Sequence, residues 1–256
     1  MVIDFHAHVG SMESVGMVGD QAEMLHVMDQ AGVDIACVFN LFHSDAAFGN
    51  QVTAQFVAAY PDRFIGFAFA TPFYPEEMES ALRQAVDELG LKGIKIYPPW
   101  FTRPVDDDVW EPIFAFAHAR KLPIISHTDG DDPIVGVNRC EPLMFARWAQ
   151  KYPQAKIVLG HAGNFPSGRR SCVLAAQKCP NIYIEICSSW RQFGSIEELV
   201  EGAGEDRVLF GSDMALMDPR IHMGRVLTAR ISEEGQQKIL GGNAARLLGI
   251  HPRTAA

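Results

Sequence analysis

Eight short apolar runs, each followed by an amphipathic stretch, constrain this chain more than any other feature. The runs fall at residues 2–9, 34–40, 64–70, 92–97, 123–127, 156–161, 182–187 and 208–213, and are rich in Val, Ile and Phe. Most are apolar on both faces, as parallel strands covered by helices must be. The stretches between them carry helix punctuation. "YPEEMESALRQAVDELG" (74–90) opens with a proline and two glutamates, which suit a first turn and its macrodipole, and Gly90 stands where a C-terminal cap belongs. "DDDVWEPIFAFAHARK" (106–121) has Asp108 and Glu111 at capping-box spacing, so Pro112 falls within the first turn. Eight strand-then-helix units predict a parallel sheet closed into one α/β domain over residues 1–256, a (β/α)8 TIM barrel. An open doubly wound sheet is the alternative. It is disfavoured because no glycine fingerprint for a dinucleotide follows the first strand.

Composition narrows the function classes. A chain of 256 residues with 48% hydrophobic and 21% charged residues can bury a sizeable core. A net charge of −9 without a Lys/Arg block argues against nucleic acid or an anionic membrane surface as partner. No apolar run is long enough to span a bilayer, and the N-terminal stretch lacks the pattern of a secretion signal. Five cysteines (Cys37, Cys140, Cys172, Cys179, Cys187), an odd number without a Cys-x-x-Cys pair, fit reduced thiols and a cytoplasmic location.

Chemistry enters at the strand ends. His6 and His8 lie two residues apart in the first run, so they project from one face, and Asp4 is expected to share that face one layer deeper. His127 ends the fifth run, His161 the sixth and Asp213 the eighth, while Lys95 lies near the end of the fourth. Barrel active sites occupy these carboxyl-terminal ends. A single strand-end histidine is more often a satisfied core residue, but the group together resists that explanation. His6, His8, His127 and Asp213 supply three imidazoles and a carboxylate, a donor set suited to one divalent ion, zinc first and manganese second.

The motifs "DFHAH", "YPDRFIGFA", "LKGIKIYP", "PIISH", "IVLGHAG", "LFGSD" and "GGNAARLLG" extend along nearly the whole chain. In them the chain resembles the amidohydrolase-related family of the amidohydrolase superfamily, metal-dependent barrels that include hydrolases and non-oxidative decarboxylases. The resemblance implies that His6 and His8 are first-strand ligands, His127 the fifth-strand ligand and Asp213 the eighth-strand carboxylate. It implies for His161 a role on the substrate, off the metal, in single-metal members. Lys95 matches a position that, when carboxylated, bridges two ions; it could equally pair with a substrate carboxylate.

Two reactions are open. A metal-bound water with its pKa lowered to about 7 could attack a lactone, ester or amide, with Asp213 taking the proton and His161 stabilising the oxyanion or protonating the leaving group. Hydrolysis is the first reading, and decarboxylation of an unsaturated or aromatic acid is the alternative. A non-catalytic metal-binding barrel is a distant third. Asp4 is expected either to orient an imidazole or to bond to backbone. Substrate choice falls to the loops, where Tyr97, Trp100, Arg103, Asn164, Arg169, Arg170, Ser188, Trp190 and Arg191 are candidates. Each is more often a packing or surface residue. His43 follows the second run, at the rim, whereas His26, His118, His222 and His251 fall in helices or the tail. Short loops favour a small-molecule substrate, unless a second copy in a homo-oligomer completes the pocket.

Overall fold

The computed structural model describes residues 1–130, 137–189 and 192–250. Its central sheet has eight parallel strands in sequential order: Ile3–His8, Ile35–Phe39, Phe64–Phe69, Gly93–Ile96, Pro123–His127, Lys156–Gly160, Ile182–Glu185 and Val208–Leu209. The barrel closes through hydrogen bonds from Phe5 N to Phe210 O (3.0 Å) and from Asp213 N to His6 O (2.8 Å). Helices follow the strands, as the alternation predicts. A short hairpin, Gly10–Met12 with Met17–Gly19, inserts after the first strand. No helix among the described residues is long and apolar enough to cross a membrane.

Strand side chains divide by parity. Ile94, Ile124, Ile157, Leu159, Ile182 and Ile184 face the helix layer. Phe5, Phe39, Phe67, Ile125, Val158 and Leu209 fill the barrel's inside. The polar residues at the C-terminal ends therefore sit on a packed floor rather than over a pore.

The first strand breaks parity once. Asp4 pairs with Ala36 while Ala7 pairs with Val38, so one extra residue bulges between them. This corrects the expectation that Asp4 shares a face with His6 and His8. Its carboxylate instead accepts from His6 N (3.0 Å), Ser212 N (2.9 Å) and Ser212 Oγ.

Helix signals hold with adjustments. The helix Pro75–Arg83 continues through a wider π-type turn to Glu88, and Gly90 adopts φ +73°. Before the helix Glu111–Arg120, Asp107 rather than Asp108 caps, because Asp108–Trp110 forms a 3₁₀ turn and Asp107 accepts from Val109 N. All strands but the fifth stop short of their runs, the seventh at Glu185, two residues early. The sixth ends at Gly160 because His161 turns to φ +63°, and the eighth ends at Leu209, after which the chain bends towards the first strand. At the rim, Gly130 and Gly168 let the loops after strands five and six touch: a Cβ on Gly168 would lie 1.9 Å from Gly163 O.

Candidate active site

Among the described residues, five of the six non-glycine residues with positive φ, His161, Ala162, Asn164, Ser188 and Asp213, lie at the barrel's C-terminal rim. Strained backbone gathers where a fold over-determines a site. His6, Lys95 and Asp213 converge there, all buried. His8 Nε2 lies 2.8 Å from Asp213 Oδ1, and His6 Nε2 lies 3.6 Å from the same oxygen. Ser188 Oγ donates to Asp213 Oδ2.

Electrostatics fix the resting charges. Burial pushes the His6 imidazole well below its usual pKa, reinforced by the Lys95 charge and opposed by Asp213. His161 is likewise held neutral by burial and by His127 and His6. Burial works to raise the Asp213 carboxyl, but the bond from His8 and the neighbouring imidazoles draw it well below the usual range. Lys95 is lowered to about 8 by burial, against the pull of Asp213, Cys187 and Glu185. Its ammonium stands 3.1 Å from His6 Nε2 and 4.6 Å above the Phe39 ring.

These contacts test the fit of a cation. An ammonium only donates, so the His6 Nε2 beside it carries a lone pair. That lone pair faces the Asp213 carboxylate at 3.6 Å, acceptor against acceptor. Around an ion with bonds of about 2.0–2.1 Å, ligand atoms lie roughly 2.8–3.4 Å apart. His6, His8 and Asp213 form a group that can hold a metal ion, and the donors fit a divalent ion.

The remaining candidates divide. His127 stands apart from that triad: its Nε2 meets Asp129 Oδ2 at 2.9 Å, and its ring lies 4.4 Å from that of His161. Burial opposes ionisation of Asp129, but bonds from His127 and Asn164 bring its pKa down to about 2. Asn164 Nδ2 reaches Asp129 Oδ1 at 2.8 Å. Tyr97 packs 4.7 Å from the His127 ring, with Trp100 4.6 Å beyond, an aromatic wall beside the site. Arg169 is not brought in: it is buried, with Nε bonded to Glu198 (2.7 Å) and Nη2 to Gln192 (2.8 Å). Arg103 pairs with Asp107, and Arg170 is exposed. His43 packs on Phe48, His26 is exposed, and His118 Nδ1 accepts from Gln154 N. His222 is buried behind the site, where its Nε2 accepts from Ser188 N at 3.2 Å. Trp190, Arg191 and His251 lie outside the described residues.

Glu185, Cys187, Asp129 and Ser212 escaped sequence reasoning. The signal was present for two of them. In "IYIEIC" a lone glutamate interrupts an apolar strand, and Cys187 follows at i+2 on its face, the same spacing that singles out His6 and His8.

The sequence profile of the amidohydrolase family matches residues 3–250. The chain belongs to the amidohydrolase family. It is 26% identical over 240 residues, 81% of this chain and 67% of the relative, to 2-amino-3-carboxymuconate-6-semialdehyde decarboxylase of Dictyostelium discoideum. It is 26% identical over 246 residues, 79% of this chain and 75% of the relative, to gamma-resorcylate decarboxylase of Polaromonas sp. strain JS666. A solved dihydroxybenzoic acid decarboxylase from Polaromonas sp. JS666, with bound manganese and the inhibitor 2-nitroresorcinol, superposes with a TM-score of 0.75. At 19% identity, over 97% of this chain and 96% of that one, this likeness supports the barrel fold alone.

Asp4 yields a prediction on stability. Burial raises its carboxyl to about 7, against the hydrogen bonds from Ser212 and His6. Unfolded, the group titrates near 3.9. The folded state therefore holds the extra proton between about pH 4 and pH 7, and this group's stabilisation is full below that window and lost as pH rises through it. In Asp4→Asn the amide oxygen can still accept from His6 N and Ser212 N, while its NH₂ donates to Ser212 Oγ, the reverse of the bond the carboxylate accepts and the one a protonated Oδ2 would make. The melting temperature of metal-free Asp4→Asn should fall less steeply from pH 4 to 7 than that of the metal-free native protein. Equal slopes would place the protonation elsewhere.

Proposed function

We propose that this amidohydrolase-family chain is a metal-dependent carboxy-lyase acting on a small aromatic or conjugated carboxylic acid. The observation that carries the reading is that both curated relatives, each aligned over about four fifths of this chain, are decarboxylases. This favours the second of the two reactions open from sequence over hydrolysis, which nothing in those relatives supports. The aromatic wall of Tyr97 and Trp100, with Phe42 5.8 Å from the His8 ring, suits a flat unsaturated substrate.

We assign His6, His8 and Asp213 to the ion, one per chain, with His127 as fourth donor on leaving the Asp129 contact that holds its Nε2 in this structure. Three imidazoles and a carboxylate accept zinc or manganese. The bound ion would supply Lewis-acid anchoring of a substrate oxygen. Lys95 remains an uncarboxylated ammonium in this reading, facing the substrate's negative charge from below. In the reaction the bond from substrate carbon to carboxylate breaks, CO₂ leaves, and the electron pair stays on carbon until a proton takes its place. His161 is suited to deliver that proton. Its Nδ1 lies 3.3 Å from the Cys187 carbonyl, which only accepts, so the proton sits on Nδ1 and Nε2 is the nitrogen that can take up another and pass it on.

The test is a panel of aromatic and conjugated acids beside lactones, esters and amides. It is run with purified protein, after chelation, and after return of zinc or manganese. CO₂ released in step with product, lost on chelation and restored by metal, is the expected result. Turnover confined to lactones, esters or amides, with no CO₂ from any acid, would return the hydrolase reading.

A further inference from the structure

Glu185 is wholly buried at the end of the seventh strand and makes no ion pair with Lys or Arg among the described residues. Such a carboxylate costs several kcal/mol unless donors surround it. Four do. Oε2 meets His6 Nδ1 at 2.9 Å, His161 N at 3.3 Å and Cys187 Sγ at 3.1 Å, while Oε1 accepts from Cys187 N. One side chain thus ties together the ends of strands one, six and seven.

The glycine of "LFGSD" makes room for it. A Cβ on Gly211 would lie 2.3 Å from Glu185 Oε1 and 2.9 Å from His6 Cβ. The fold keeps this space for the carboxylate and the imidazole it holds.

We infer that Glu185 is the positioning residue of the centre: it fixes His6 with its proton on Nδ1, so that Nε2 presents its lone pair between Lys95 and Asp213. Two independent contacts require the same tautomer. The carboxylate accepts a hydrogen bond from Nδ1–H on one side, and the Lys95 ammonium, which can only donate, meets Nε2 from the other. A carboxylate behind a ligating histidine sets ring orientation and raises ligand basicity. The same oxygen holds the His161 backbone in its left-handed turn, so Glu185 also sets the residue assigned to proton transfer.

Glutamine cannot replace it. If its amide oxygen accepts from His6, its NH₂ faces the N–H of Cys187, donor against donor, and the reverse orientation abandons His6. The inference rests on the reading of His6 as a metal ligand, so its primary test uses metal-free protein. Imidazole nitrogen NMR on ¹⁵N-histidine-labelled native protein should show His6 as the Nδ1–H tautomer alone. In Glu185→Gln, with the Lys95 ammonium still set against Nε2, the His6 Nδ1 resonance should shift as its carboxylate acceptor is lost, and competition against a chelator should show divalent metal bound about 10–100-fold more weakly. A merely structural role would lower the melting temperature and leave both readouts unchanged in the folded variant, which would overturn the inference. If the variant does not fold, the native spectrum decides: an Nε2–H tautomer of His6 refutes it. A correct tautomer in a protein that binds no metal would leave the Glu185 contact standing and remove the metal reading instead.

Discussion

Asp213→Ala is expected to strip the protein of its divalent ion. Asp213 Oδ1 lies 2.8 Å from His8 Nε2 and 3.6 Å from His6 Nε2, and it is the one carboxylate in that triad. Its removal takes away the charge that balances the cation and leaves the buried His8 Nε2 without its partner. Loss of a residue behind a ligand costs about 10–100-fold in metal affinity, so loss of a ligand should exceed the upper figure, with turnover falling in parallel. Asp213→Asn separates charge from shape, since it preserves a bond with Ser188 and also loses the metal in this account. The check is metal content by elemental analysis after dialysis, with the melting temperature of the metal-free proteins as a control for folding. Native metal content in both variants would move the ion away from Asp213.

His161→Asn is expected to do the opposite: keep the ion and lose turnover by about 10²–10⁴-fold, the usual worth of a positioned proton donor. Asn is the suitable probe because His161 sits at φ +63°, a region Asn tolerates better than most residues. The local turn therefore survives the change. His161 points its Nδ1 to the Cys187 carbonyl and sulfur, away from the lone pairs gathered at Asp213. Metal lost together with activity would put His161 among the ligands. Turnover within a few-fold of native would remove it from the proton path.

The legibility of the sequence follows the range of the contacts involved. Parallel strands must be apolar on both faces, so the barrel is written in local runs, and the helix caps are local too. The His6 and His8 pair is legible because strand alternation needs only two residues. The bulge that turns Asp4 away is not, because it appears only in the pairing with Ala36 and Val38 on the next strand. Glu185 stands out as a lone glutamate in an apolar strand, but what it holds is hidden for the same reason. Its partner His6 lies 179 positions away, and the chain carries no periodic signal across that distance. Arg169 shows the converse: a cation placed correctly after the sixth strand has its guanidinium claimed by Glu198 and Gln192, whose positions no motif announces.

In the proposed reaction the centre breaks a carbon–carboxylate bond and protonates the carbon. This is tested most directly by running the reaction, with the acid turned over fastest, in D₂O containing H₂¹⁸O. The expected product carries one deuterium on the carbon that held the carboxylate, with one CO₂ released per product and no ¹⁸O in the organic product. A product bearing ¹⁸O in a new carboxylate, with no CO₂ and no deuterium on carbon, would contradict it and make the chain a hydrolase.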